Sequence, residues 1–309
     1  MIVVVNANAH AGKGLARWRA VEPLVQARYP HRAVLCETEA QARTAVIAAC
    51  ASGEAVIAAA GGDGCVNLVL NAVMDPETDA PRHPIALGAI GLGSSNDFHK
   101  PRSTERDLGG IPVALSPTAG KRMDLGRADW IAPGGERGTS YFLLNSSMGA
   151  TAAGNYDYNH PTGLLALFKG LNTDLAIQWA TLRTIARFSN VSATIEVDGQ
   201  PVATGPISNL GVIKRQHFAG GMRYDTPVTP DDGLFDVNLC AGMSRLEFIR
   251  AVMAIEKGRF TGLPKTHHWR ASQVRLVPEA PAPLELDGEV RLIQEVTLRV
   301  VPRAIHVCG

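Results

Sequence analysis

The sequence predicts a mixed fold: an N-terminal doubly wound α/β domain, then a C-terminal antiparallel β-sandwich. Three observations carry this. Up to about residue 122, apolar runs alternate with stretches of helical spacing, the pattern of a parallel sheet covered by helices. From Met123 onward, short β-like runs separated by Gly, Pro and Asp turns dominate. Glycine-rich segments also sit where strands of the first part give way to helices.

In order, Ile2–Val5 reads as a strand, Leu15–Arg28 as a helix and Ala33–Cys36 as a strand. Glu39–Cys50 follows as a helix, with Thr38 placed to cap it. Ala55–Ala60 is an apolar run of strand length. After it, Val66, Val69, Leu70 and Val73 recur at i, i+3, i+4 and i+7, one face of a helix. Ile85–Ile90 is the last strand of this alternation. The second part offers strands at Tyr141–Asn145, Ser192–Val197, Ile207–Ile213, Leu234–Leu239, Gln273–Val277, Leu284–Leu286 and Val296–Val301. Helical stretches interrupt them at Leu164–Phe188 and Arg245–Glu256. The division falls into residues 1–122 and 123–301, with residues 302–309 expected to return to the first domain.

Gly61-Gly62-Asp63-Gly64 lies at a strand-to-helix turn. Backbone N–H groups at a helix N-terminus favour an anion, and glycine lets main chain approach a phosphate closely. Asp63 would repel that phosphate unless a cation lay between them, which points to Mg²⁺. Two other turns repeat the logic. One runs from Asn6 through Gly12-Lys13-Gly14, where Lys13 could contact phosphate as a point charge. The other is Gly93-Ser94-Ser95-Asn96-Asp97-Phe98, where Asp97 reads either as a site carboxylate or as the Asx turn that Asn-Asp pairs form. Loops at the carboxyl ends of strands in an open α/β sheet share one crevice, so the turns could converge on one polyphosphate such as ATP. Near the far end, Asp287-Gly288-Glu289 places two carboxylates astride a glycine. Asp-Gly is equally a hairpin signal, and Asp198-Gly199 is read as a turn alone.

Taken together, these segments resemble the diacylglycerol kinase catalytic domain family, which includes bacterial lipid kinases and sphingosine kinases. The resemblance spans nearly the whole chain. It includes Met123-Asp124-Leu125-Gly126 and Asp231-Asp232-Gly233-Leu234-Phe235-Asp236-Val237. It implies an ATP- and Mg²⁺-dependent kinase that phosphorylates a hydroxyl of diacylglycerol or a related lipid. Nucleotide would lie on Asn6, Gly12–Gly14, Gly61–Gly64, Gly93–Ser95 and Glu289. Asp287 is the candidate general base and Asp63 and Asp97 its catalytic company, with the acceptor entering a cleft between the domains. Asp124 is expected in a carboxylate network around the metal. A separate structural cation would map to Thr229, Asp232 and Leu234.

Three positions depart from the family pattern. Ala7 stands where proline is usual, Cys65 where threonine would donate to phosphate, and Leu68 where glutamate is usual. The apolar residues Leu164, Leu165, Leu167, Phe168, Leu171, Leu175, Ile177 and Trp179 form a core segment or a wall for an acyl chain. Lys214-Arg215-Gln216-His217 reads as a solvated loop or a contact for anionic head groups, and His267-His268 as surface residues.

The 309 residues carry a formal net charge of +1, against general nucleic-acid binding. No apolar run reaches the roughly 18 residues needed to cross a bilayer. Five scattered cysteines suggest neither a disulfide framework nor a zinc site. The expectation is a cytoplasmic protein in peripheral contact with membranes, with a homodimer as one allowed assembly. An NAD-kinase-like phosphotransferase and a non-catalytic nucleotide or lipid binder are the competing readings. The retained carboxylates argue against the binder.

Overall fold

The computed structural model describes residues 1–116, 120–159, 183 and 186–309. The chain divides into two compact units, Met1–Leu125 with Pro302–Gly309, and Gly126–Val301.

In the first unit, β1 (Ile2–Asn6) lies between β2 (Arg32–Cys36) and β3 (Val56–Gly61), parallel to both. A two-residue ladder, β4 (Met74–Asp75) with β5 (Ala80–Pro81), precedes β6 (Ala86–Gly91), which is parallel to β3. The short hairpin of β7 (Asp107–Leu108) and β8 (Ile111–Ala114) sets β8 antiparallel on the end of β6. His306 and Val307 pair in parallel with Ala86 and Leu87 at its beginning.

Helices cover both faces. A single turn, α1 (Ala9–Gly12), leads into α2 (Gly14–Arg28), whose Trp18, Val21 and Val25 are buried with Val3, Val5, Ala58, Ala60 and Ile90. Alternate strand residues face the other way, and α3 (Glu39–Ala51) and α4 (Asp63–Val73) pack together on β1 and β3. Thr38 caps α3 as expected, in a capping box with Gln41. On α4 the predicted stripe of Val66, Val69, Leu70 and Val73 is buried.

The second unit is an antiparallel sandwich. The final residues of β9 (Lys121–Ile131) pair with β10 (Arg137–Phe142). β11 (Asn145–Gly149) leads into α5 (Ala150–Asn159). The strand β13 (Gln200–Ile213) pairs first with β12 (Val191–Val197), then over Asn209–Ile213 with β11, and with β16 (Phe235–Ala241) across a register shift at Ile207/Asn209. Between them lies the small hairpin of β14 (His217–Phe218) and β15 (Met222–Arg223). α6 (Arg245–Glu256) is capped by Ser244 and Glu247. β17 (Thr266–Ala271) extends the sheet from β16. β18 (Gln273–Pro278) pairs with β12 and with β21 (Glu295–Val307). β19 (Ala282–Leu286) joins β11 to β20 (Glu289–Ile293). Phe142, Leu210, Phe235, Leu276, Leu284 and Leu298 are among the residues that fill the space between the layers.

Besides the two-residue ladders, β8, β9, β17 and β20 escaped the sequence pattern. β9 contains the junction segment Met123–Gly126, and β17 carries His267 and His268. Charged and aromatic residues break the alternation in both. His267 and His268 are exposed as expected, although His268 Nε2 reaches Asp236 Oδ1 at 2.9 Å. Leu164, Leu165, Leu167, Phe168, Leu171, Leu175, Ile177 and Trp179 lie outside the described residues. Among the described residues, no helix is long and apolar enough to cross a membrane.

Candidate functional site

The carboxyl ends of β1, β3 and β6 lie side by side, with Val5 opposite Ala60 and Gly61 opposite Gly91. Each delivers one Gly-rich turn to that edge. The second and third turns interlock. Gly61 O accepts from Leu92 N (2.8 Å) and Gly93 N (3.1 Å). A Cβ on Gly93 would lie 2.5 Å from Gly62 Cα, so no side chain fits between them. In the first turn, Gly14 is pressed on Asn6 O and Ala9, whereas Gly12, at φ +86°, faces open space. The side chain of Asn6 accepts from Asn8 N at 3.0 Å. Lys13 is exposed at the start of α2.

Asp63 is the tie between turns. Its Oδ2 accepts from Asp97 N (3.0 Å) and its Oδ1 from Phe98 N (2.9 Å). Gly62 precedes it as the N-cap of α4, and Gly64 follows half-buried. Asn96 holds a left-handed backbone (φ +51°), with its amide bridging Gly91 O, Gly93 O and Gly93 N. Asp97 is buried. Its Oδ1 accepts from Lys100 Nζ at 2.7 Å and its Oδ2 from Ser95 Oγ at 3.2 Å, while Ser94 is exposed. From α2, Arg17 Nη1 donates to Gly93 O at 3.1 Å. Burial and then the Arg102 charge hold its guanidinium below the ordinary arginine value. Cys65 lies directly over Gly61, where a Cβ would meet its side chain at 2.5 Å. Burial pushes its thiol up to about 12, Cys36 adds to the rise, and a backbone hydrogen bond at Asn6 opposes it.

In the second unit, Asp287-Gly288 forms the two-residue turn between β19 and β20, with φ +49° and +91°. Positive φ at both positions is the type I′ hairpin. Glu289 is exposed and pairs with Leu286 across the turn, so Asp287 and Glu289 do not lie in one strand. Asp287 itself is buried. Its Oδ2 accepts from Leu143 N (2.7 Å), and its Oδ1 from Leu144 N (2.9 Å) and Asn145 N (3.0 Å). Beside it, buried Glu285 accepts from Ser147 Oγ (2.6 Å) and Gly288 N (2.5 Å). With its amide nitrogen turned to that carboxylate, Asn145 donates to both oxygens at 3.1 and 3.0 Å.

Asp124 is 1% exposed, and its Oδ1 accepts from Arg303 N at 2.8 Å. At Thr229, Asp232 and Leu234 the cationic group present is the ammonium of Lys214. Lys214 is therefore neither a solvated loop residue nor a contact for head groups. Among the described residues, no three His, Cys, Asp or Glu side chains cluster in a way that could hold a metal ion.

Sequence reasoning missed Arg17, Glu285 and the Leu143–Asn145 amides. Glu285 had a signal, since it stands two residues before Asp287 in an otherwise apolar strand. Arg17 had none, being one of several basic residues on a helix.

Residues 1–128 match the diacylglycerol kinase catalytic domain, and residues 166–309 match the YegS C-terminal NAD kinase beta sandwich-like domain. A diacylglycerol kinase of Bacillus subtilis (strain 168) is 25% identical over 76% of this chain and 71% of its own. That of Staphylococcus saprophyticus is 23% identical over 76% and 70%. A solved structure from Bacillus anthracis (strain Sterne) superposes with TM-score 0.73 at 20% identity, covering 99% of this chain and 94% of that one. That similarity concerns the fold alone. With both domains matched in order, residues 1–128 are similar to a diacylglycerol kinase catalytic domain and residues 166–309 to a YegS-type sandwich, a pairing that supports a kinase family.

Proposed function

We propose that this protein is an ATP-dependent lipid kinase that moves the γ-phosphate to a hydroxyl of diacylglycerol or a related lipid, working in peripheral contact with a membrane. The observation that carries the reading is the interlocked pair of turns at Gly61–Asp63 and Gly93–Asp97, joined through the Asp63 carboxylate. The names of the curated relatives support the lipid acceptor.

In this reading the turn backbones around Gly12, Gly62 and Gly93 receive the phosphates, with Arg17 and Lys13 adding positive charge. Mg²⁺ takes only one or two protein carboxylates, with water and phosphate completing its shell. Asp63 beside Asp97 supplies that number, and bound Mg²⁺ would neutralise charge developing on the phosphates. The acceptor hydroxyl oxygen attacks Pγ, the bond from Pγ to the β-bridging oxygen breaks, and ADP leaves. Asp287 takes the hydroxyl proton, as a carboxylate does in phosphoryl transfer to an alcohol. Glu285, held beside it, keeps the hairpin in place.

The test is radiolabelled ATP with Mg²⁺ and a vesicle panel of diacylglycerol and other hydroxylated lipids, with NAD as a competing acceptor. Label in extracted lipid is expected. Label in NAD alone would replace this reading with the NAD-kinase-like one, and no transfer to any acceptor would replace it with the binder.

A further inference from the structure

Lys214 directly follows β13, and its side chain is only 1% exposed. A buried ammonium is costly unless its protons find acceptors. Nζ donates to Leu234 O at 2.7 Å, Thr229 O at 2.9 Å and Asp232 Oδ1 at 3.2 Å. Backbone carbonyls with a carboxylate are the oxygen donors that a hard divalent cation selects. They are also the three residues on which the family resemblance places a structural cation.

Electrostatics leaves no need for a second cation there. Asp232 Oδ1 also accepts from Leu234 N at 3.1 Å, and its Oδ2 pairs with Arg270. One carboxylate already faces two cationic side chains, and a divalent ion would face both of them. Burial pushes the Asp232 carboxyl up, but the Leu234 amide, Lys214 and Arg270 outweigh it and hold the group below the usual aspartate value.

We propose that the Lys214 ammonium is the resident cation of the 229–234 loop and stands in place of a divalent ion, so that this protein needs no structural metal there. The loop is then held by a covalently attached charge whose occupancy does not vary with metal concentration.

Thermal unfolding tests this without reference to activity. The wild-type midpoint is expected to be the same in EDTA as in millimolar Mg²⁺ or Ca²⁺. Lys214→Met should melt lower by on the order of 10 °C, the scale of breaking a buried ion pair in a unit of this size. A wild-type midpoint that rises with divalent ion, with the rise lost in Asp232→Asn, would overturn the proposal, as would a Lys214→Met midpoint equal to wild type. A second measurement needs no variant. Acetylation followed by peptide mass spectrometry should find Lys214 protected, with exposed Lys13, Lys121 and Lys257 modified. Addition of Mg²⁺ should leave that protection unchanged. Lys214 modified as fast as the exposed lysines, or released for modification by Mg²⁺, would show that the ammonium does not hold the cage.

Discussion

Asp287 and Asp198 occupy the same place in two Asp-Gly hairpins, and both carboxylates accept backbone N–H bonds from a segment distant in the chain. Asp198 Oδ1 accepts from Ser272 N at 3.0 Å and Gln273 N at 2.9 Å, with φ +48° at Asp198 and +79° at Gly199. Asp287 does the same to Leu143, Leu144 and Asn145. The difference is burial: Asp198 is exposed, and Asp287 is 4% exposed beside a second buried carboxylate, Glu285.

Asp287→Asn separates a base from a clamp. The amide cannot take the proton and turns an NH₂ toward at least one backbone donor. Loss of one buried acceptor costs about 1–3 kcal/mol, and loss of a general base about 10²–10⁴ in rate. Lipid phosphorylation per folded molecule is expected to fall by the second factor while ATP affinity changes far less, with Asp198→Asn as the hairpin control. Rates unchanged once unfolding is allowed for would reduce Asp287 to a clamp.

Asp63→Ala removes both acceptors that tie the Asp97 and Phe98 amides to α4. Transfer should be abolished with the circular dichroism of the fold retained, and Asp63→Asn should keep part of the turn geometry but lose the charge. Full activity in Asp63→Ala, measured with labelled ATP, would remove this residue from the mechanism.

Cys65 should behave as a thiol at neutral pH. With its pKa near 12, the thiolate fraction grows about tenfold per pH unit throughout the alkaline range below that value. Iodoacetamide labelling of the Cys65 peptide, followed by mass spectrometry, should rise with pH without a plateau through pH 10. A plateau near the ordinary cysteine value would show an accessible, unperturbed thiol.

Asp225 and Asp232 set an acid limb for the second unit. For Asp225, burial raises the carboxyl, but bonds from Thr261 and Phe260 outweigh it and the net shift is downward. Asp232 is lowered as well. A depressed folded value gives stability that is present above the ordinary aspartate value and lost as pH falls through the lowered one. Urea midpoints should therefore drop between about pH 5 and pH 1. Asp225→Asn should start lower at neutral pH and show a flatter acid limb, and a parallel curve would refute the assignment.

The alternation of strands and helices up to Ile90 was legible because β3 and β6 are fully buried runs and α4 has a single apolar stripe. The Gly-rich turns were legible too. What the carboxylates bind was not. Asp63, Asp124, Asp198 and Asp287 read as site or turn residues, yet each accepts from main-chain N–H groups. A main-chain donor carries no residue identity, so no motif can announce it. Lys214 was misplaced for a related reason: in sequence it sits in a polar cluster, and only the return of residues 229–234 buries it.

The amides that Asp287 gathers precede it by 142 to 144 residues. Its hairpin turn is set by local sequence, whereas the bonds that enclose its carboxylate close a loop nearly half the chain long. Closing that loop costs chain entropy that the two-residue turn does not. The two readings of the Asp-Gly pair thus differ in sequence range. The turn is written in two adjacent residues, and the carboxylate's partners, Leu143, Leu144 and Asn145, are brought to it only by the fold of the second unit.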